Sequence, residues 1–152
     1  MRVRAGRREE SALLSELAVR SKSYWGYDSD SLDACREELR LHCDDFDALV
    51  VRVAELDDGR IAGFYGLAEV DEAEVDVRYL FVDLPFIRHR IGRRLFSDLV
   101  QTASEMGLRA LRIDADPGAA AFYERMGAER AGDAPSGSIP GRFLPSYRLR
   151  VP

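Results

Sequence analysis

The stretch from Ala48 to Val82 constrains the fold more than any other part of the chain. ALVVRVAEL, IAGFYGLAEV and VDVRYLFV follow one another, each apolar and rich in β-branched or aromatic residues. Only the short polar breaks DDGR and DEAE separate them. Near-continuous apolar runs of this length read as buried strands. Asp58-Gly59 in the first break is a hairpin signal, because glycine accepts the left-handed backbone of a tight turn. The prediction is a meander of three antiparallel strands.

The flanks add helices. Arg2 to Ala5 alternates charged and apolar residues, as a short first strand does. Leu13, Leu14, Leu17 and Ala18 then share a helical face behind Glu9 and Glu10, acids that suit a helix start. SKSYWGYDSD reads as a loop, with Ser29 or Asp30 to cap a second helix striped by Leu32, Cys35 and Leu39. After the meander, Ile91, Leu95, Phe96, Leu99, Val100, Ala103 and Met106 line one face of a helix that stops at Gly107. ALRIDA is a short strand. DPGAAAFYERMGA is a helix with Asp116 as cap and a proline at its first position. The tail closes through a Gly/Pro/Ser-rich loop into the alternating strand SYRLRV. The expected order is β-α-α-β-β-β-α-β-α-β, one mixed α/β domain over residues 1–152 with a mostly antiparallel sheet.

Bulk properties narrow the function classes. Net charge is −5, which argues against general nucleic-acid binding. The two cysteines, Cys35 and Cys43, make neither a disulfide framework nor a metal-ligand pattern, so no metal is expected. The first ten residues, MRVRAGRREE, hold no apolar leader, and no apolar run approaches membrane-spanning length. A soluble, cytoplasmic protein with reduced thiols is expected, with no membrane partner.

Against that acidic background, VDLPFIRHRIGRRL crowds Arg88, His89, Arg90, Arg93 and Arg94 where a strand turns into a helix. A helix start offers free backbone N–H groups and partial positive charge, which together favour an anion such as pyrophosphate. Flanking arginines strengthen that preference. The competing reading is a solvated helix start whose arginines pair with acidic neighbours.

YLFVDLPFIRHRIGRRL followed by IDADPGAAAFYERMGA resembles the GCN5-related N-acetyltransferase (GNAT) superfamily, and the element order matches across nearly the whole chain. Members move an acetyl group from acetyl-CoA to an amine. Their motif R/Q-x-x-G-x-G/A falls on Ile87 to Gly92, with Ile87 at the first position, Arg90 at the first glycine and Gly92 at the second. The resemblance implies a sheet splayed at the CoA site. It implies CoA contacts from Leu80, Phe81 and Val82, from Ile87, Arg88, His89, Arg90, Ile91, Gly92 and Arg93, and from Asp116, Ala119, Phe122, Tyr123 and Arg125. A strand N–H near Leu80 to Val82 would hold the thioester oxygen.

For the chemistry, the resemblance makes Tyr123 the acid for the leaving thiolate, with an ordinary phenol pKa of about 10. Packing of Phe122 and Tyr123 on the sheet is the alternative, although adjacent helical residues face different ways. Asp76 stands where relatives carry a base acting through water; a solvated strand residue is the alternative. Tyr24 and Trp25 are placed at the acceptor pocket, with Ser138 and Arg142 to hold an acidic group of the acceptor. A hydrophobic plug and a surface loop are the respective alternatives. The expected function is N-acetyl transfer from acetyl-CoA to a primary amine of a small molecule or peptide, with a homodimer left open. A non-catalytic acyl-CoA-binding module and a nucleotide- or phosphate-binding regulatory domain are the competing classes.

Overall fold

The computed structural model describes all residues from Met1 to Pro152. In chain order the elements are β1 (Arg2–Ala5), α1 (Ser11–Ser23), α2 (Ser29–Arg36), β2 (Val50–Glu55), β3 (Ile61–Glu69), β4 (Glu74–Val82), α3 (Ile91–Glu105), β5 (Ala110–Asp114), α4 (Ala120–Arg125), β6 (Glu129–Pro135) and β7 (Phe143–Arg150). The strands form one sheet in the order β1-β2-β3-β4-β5-β7-β6, and every pairing is antiparallel except β4 with β5. The expected meander is β2 to β4. Gly59 takes φ 89° in its first turn, a backbone that glycine adopts without steric cost.

Helices cover both faces of the sheet. α3 presents Ile91, Leu95, Phe96, Leu99 and Ala103 to one face, where α4 adds Tyr123. α1 buries Leu14, Leu17 and Ala18 on the other, with Cys35 of α2. Leu13, expected on the apolar face of α1, is 48% exposed instead. It adjoins Leu14, and a narrow face of α1 leaves it on the solvent edge. Asp28, rather than Ser29 or Asp30, caps α2 by accepting the Ser31 N–H.

A bulge in β4 lets the strand serve both cores. Gly66 pairs with Tyr79 and Leu67 with Val77, so Arg78 has no partner. Side chains alternate with period two, and one extra residue inverts the phase. Val75 and Val77 therefore join the α3/α4 core, while Tyr79 and Phe81 pack with the α1/α2 core. Gly63 and Gly66 leave room opposite: a Cβ on Gly63 would lie 2.6 Å from the Phe81 carbonyl oxygen.

The parallel ladder between β4 and β5 has three rungs, Glu74–Ala110, Val75–Leu111 and Asp76–Arg112. Beyond them β4 continues to Val82 and β5 to Asp114 without pairing to each other. The sheet thus parts between these strands, as the expected splay requires. β6 is an element the sequence reading did not include; it turns the region after α4 into an edge strand paired with β7.

A polar clamp fixes α3 on the meander. Arg52 of β2 donates twice to Asp98 of α3, at 2.7 and 3.3 Å. The fully buried Tyr65 hydroxyl lies 2.6 Å from Asp98 and 2.8 Å from the Thr102 hydroxyl. Burial disfavours the Asp98 carboxylate, but the bonds from Arg52 and Tyr65 outweigh it and hold its pKa below the ordinary range. A carboxyl depressed on folding contributes stability that is complete above its unfolded value of about 3.9 and drains away as pH falls through the folded value. Tyr65→Phe should lower the unfolding free energy by about 1–2 kcal/mol in urea titrations at pH 7. Asp98→Asn should flatten the loss of stability expected between about pH 5 and pH 2, as acid titration of the two proteins would measure.

Candidate active site

The loop from β4 to α3 is built around Asp83. Its carboxylate accepts the Leu84 N–H at 2.9 Å and caps the single 3-10 turn Leu84–Phe86. It also accepts two bonds from Arg20 of α1, at 3.0 and 2.9 Å. The chain then passes through two left-handed residues, Arg88 at φ 72° and Arg90 at φ 63°. Side chains bearing a Cβ resist this conformation by about 1–2 kcal/mol per residue. Arg90 stands at the N-cap of α3 and has the backbone that the motif glycine would supply at no such cost.

This geometry leaves amides pointing outward. The first bond of α3 runs from the Arg94 N–H to the Arg90 carbonyl, at 3.1 Å. The N–H groups of Ile91, Gly92 and Arg93 thus have no partner within the helix. A Cβ on Gly92 would meet nothing closer than 3.7 Å, so alanine also fits, as the motif allows. Arg88, Arg90, Arg93 and Arg94 are exposed, as is His89, and none makes an ion pair. The alternative of a salt-bridged helix start is not what the structure shows.

The loop opens onto the gap between β4 and β5. One edge of Val77–Val82 is unpaired there, including the backbone of Leu80, Phe81 and Val82. Asp76 occupies the last rung, at the apex of the gap, opposite Arg112. Burial raises its carboxyl pKa, the nearby Arg112 and Arg78 pull it down, and the net shift is upward. Its side chain keeps 24% of its surface exposed.

α4 forms the far wall. Asp116 and Pro117 start a short turn, in which Asp116 accepts the Gly118 N–H at 2.9 Å. Phe122 packs edge-on against Phe96 and over Gly92. Tyr123 also packs edge-on against Phe96, so both aromatics lean on α3 despite facing different ways. Tyr123 is the more buried of the two, and its hydroxyl has no hydrogen-bond partner in the protein. No fully buried side-chain polar atom lacks a partner, so that oxygen must reach open space. Burial and then the Asp116 charge raise the phenol pKa well above the ordinary value expected from sequence. Ala119 lies at the start of α4, and Arg125 ends it exposed and without an ion pair.

On the α1 side, the Tyr24 and Trp25 rings pack at a tilt of 58° with centroids 4.9 Å apart, 38% and 45% exposed. Trp25 lies so close to Gly118 that a Cβ there would come within 2.6 Å of its ring. Tyr27, which the sequence reading passed over, donates its hydroxyl to Asp116 at 2.5 Å. Arg142 stacks on the Tyr27 ring at 4.9 Å, while the Ser138 hydroxyl lies 3.3 Å from the Cys35 thiol. Both residues assigned to an acidic acceptor group are therefore engaged within the protein.

The Acetyltransferase (GNAT) family model matches residues 14–128, well over half of the sequence. The chain belongs to the GNAT acetyltransferase family. The PaiA N-acetyltransferase of Thermoplasma acidophilum, solved in complex with coenzyme A, is 16% identical over 98% of both chains with TM-score 0.77. A GCN5-related N-acetyltransferase from Rhodopseudomonas palustris is 20% identical over 98% of this chain and 94% of its own, at TM-score 0.79. A Salmonella typhimurium protein, yncA, solved with its cofactor acetyl-CoA, is 18% identical over 100% of this chain and 94% of its own, at 0.71. No curated protein sequence matches.

Within this GNAT frame, Tyr27 and Asp83 are the site-building residues that sequence reasoning missed. Asp83 follows a strand and stands two residues before Pro85, a capping position legible in the sequence. No group of three or more His, Cys, Asp or Glu stands together. No helix is long and apolar enough to cross a membrane. Arg90→Gly should relieve the left-handed strain and raise unfolding stability by about 0.5–1 kcal/mol, after the extra freedom of glycine in the unfolded chain is deducted. Urea unfolding of the two proteins measures it.

Proposed function

We propose that this GNAT protein transfers an acetyl group from acetyl-CoA to a primary amine of a small molecule or peptide. The observation that carries the reading is the loop from Arg88 to Arg93. Unpartnered amides and unpaired arginines meet there at the mouth of an unpaired strand edge. The residues present fit CoA: the amides suit a pyrophosphate, and the free edge of Val77–Val82 suits the amide-bearing pantetheine arm as a false strand. Structures of two relatives with coenzyme A and acetyl-CoA support the same choice.

The thioester supplies the activated acetyl group. The chain's own contributions are positional and protolytic. A backbone N–H near Leu80 to Val82 polarises the carbonyl. Asp76, whose raised pKa makes it a better proton acceptor than an ordinary aspartate, takes a proton from the ammonium through water. The free amine then forms its C–N bond as the C–S bond breaks, Tyr123 gives its proton to the departing sulfur, and the acylated nitrogen loses its extra proton to water, which returns one to the Tyr123 phenolate. Ile87, His89, Ile91, Ala119, Phe122 and Arg125 line the donor side. Tyr24 and Trp25 border the acceptor. Both cysteines are unpaired thiols, which suits the cytoplasm.

Calorimetry with acetyl-CoA, CoA and ATP tests the donor, and thiol release over an amine panel tests the transfer. Tight binding of ATP in place of CoA would refute the assignment. Binding of acetyl-CoA without thiol release on any amine would favour a binding module. Reversing the charge at both Arg88 and Arg93 should weaken acetyl-CoA binding by roughly 1–3 kcal/mol. Tyr123→Phe should leave that affinity nearly unchanged and slow turnover about ten- to a thousand-fold. The basic limb of the parent's rate profile should lie above the ordinary phenol value of about 10, and the variant should lose it.

A further inference from the structure

The chain carries 22 lysines and arginines, and Lys22 is its single lysine. An arginine keeps its proton at any working pH and is no acyl acceptor, whereas a lysine amine gives up its proton and is a target of acetylation. The Met1 amine donates to Asp57 at 2.9 Å, beside the edge strand β1, which β2 and β3 separate from β4 and its gap. Lys22 is placed differently. It stands in the last turn of α1, where a cation suits the negative end of the helix dipole. Arg20 meets that need in the same turn with a guanidinium, so the dipole does not call for a lysine. The Lys22 side chain is only 16% exposed and points at the β5 side of the gap. Its Nζ lies 3.7 Å from Oδ2 of Asp116, two residues beyond β5, and 5.4 Å from the centre of the Tyr27 ring. At that distance the ion pair includes no hydrogen bond, so the flexible four-carbon stem is not fixed in place. Asp116 is also the charge that acts on the Tyr123 phenol. One carboxylate thus stands near both an amine and the proposed acid.

We propose that Lys22 is a modification site: it accepts an acetyl group from acetyl-CoA bound to its own chain. The inference rests on the donor reading given above. Water takes one proton from the Lys22 ammonium. The amine nitrogen attacks the thioester carbonyl carbon, so that the C–N bond forms as the C–S bond breaks. The departing sulfur takes the Tyr123 proton. The acylated nitrogen loses its extra proton to water, which returns one to the phenolate. The products are acetylated Lys22, CoA and one proton. Acetylation removes the ammonium charge, and Asp116 loses its ion pair with it.

A single lysine makes the test clean. The parent is incubated with saturating acetyl-CoA and no added amine, cleaved after arginine and read by mass spectrometry. The fragment from Ser21 to Arg36 should carry one acetyl group, on Lys22. Its uptake should be first order, with a rate constant that does not change with protein concentration. Lys22→Arg should take up no acetyl group in this fragment, while its acetyl-CoA dissociation constant by calorimetry stays within about threefold of the parent's. Tyr123→Phe should slow the uptake about tenfold or more. The parent unfolded in urea should be acetylated at Lys22 at no more than about a tenth of the folded rate, because unfolding removes the proximity that the fold supplies. Absence of acetyl-CoA binding by the folded parent would defeat the donor reading, and this inference with it. Acetyl-CoA binding without acetylation of Lys22 would overturn the inference alone. Equal rates in the folded and unfolded chain would do the same, since the lysine would then react directly with the thioester. A rate constant that rises with protein concentration would place the transfer between copies and overturn transfer within one chain.

Discussion

Backbone pairing between β4 and β5 stops after three rungs while both strands run on, and the rest of the molecule is arranged around that interruption. A strand edge inside a protein carries N–H and C=O groups that need partners. Here the edge from Val77 to Val82 faces an opening rather than another strand. The bulge at Arg78 accompanies the parting, because it inverts the strand's faces just beyond the last rung. Below the bulge β4 is an ordinary central strand. Above it the strand feeds Leu80 and Val82 to one core and Phe81 to the other, and its free edge becomes the floor of a cleft. The helix that follows β4 brings the arginine loop to one end of this cleft, and the helix that follows β5 brings Tyr123 to its side.

The distribution of charge sets this site apart from the rest of the surface. Elsewhere Arg4 bridges Glu10 and Glu55, Arg52 holds Asp98, and Arg148 reaches Glu74, so these bases have acidic partners. The loop from Arg88 to Arg94 has neither acidic partners nor relaxed backbone. Unpaired like charges repel one another, and they also oppose the positive end of the α3 dipole. Two left-handed arginines add strain of about 1–2 kcal/mol each. Nothing in the fold requires these residues to be arginine, and glycine would serve the backbone better. On the proposed reading an anion bound here offsets the charge repulsion and satisfies the exposed amides.

Elements whose packing is local were legible in the sequence. The meander, the face of α3 and the Asp116-Pro117 cap follow from period, turn chemistry and capping, and each stands where expected. β6 was not legible. Its residues ERAGDAP are exposed nearly throughout, so they lack the alternation that marks a half-buried strand, and only pairing with β7 makes them one. The Arg52–Asp98–Tyr65 clamp joins residues distant in the chain, and no local pattern announces it. The motif for the loop was legible in its placement, while the left-handed backbone at Arg90 was not, because arginine there disguises a glycine position. For the candidate site, the resemblance supplied the donor-side residues. The contacts of Tyr27, Ser138 and Arg142 depend on how distant loops meet, which spacing does not encode.

The environment of Tyr123 shows why the acceptor side bears on the chemistry. An ordinary thiol titrates near about 8.5 and an ordinary phenol near about 10, so proton transfer from phenol to thiolate is uphill by roughly 2 kcal/mol in water. Burial of Tyr123 raises the phenol further, which alone would make it a poorer acid. The same low-dielectric cleft destabilises a thiolate, so burial raises both partners and the mismatch does not grow with it. The Asp116 charge is different in kind. It holds the proton on Tyr123 by direct attraction, and its effect on a sulfur depends on where that sulfur lies. Lys22 and the Tyr27 hydroxyl both meet the Asp116 carboxylate and spread its charge away from Tyr123. Arg142 over the Tyr27 ring adds a second cation to the same cluster. On the proposed chemistry, then, the acceptor-side loops do more than shape a pocket. By compensating Asp116 they keep Tyr123 able to release its proton.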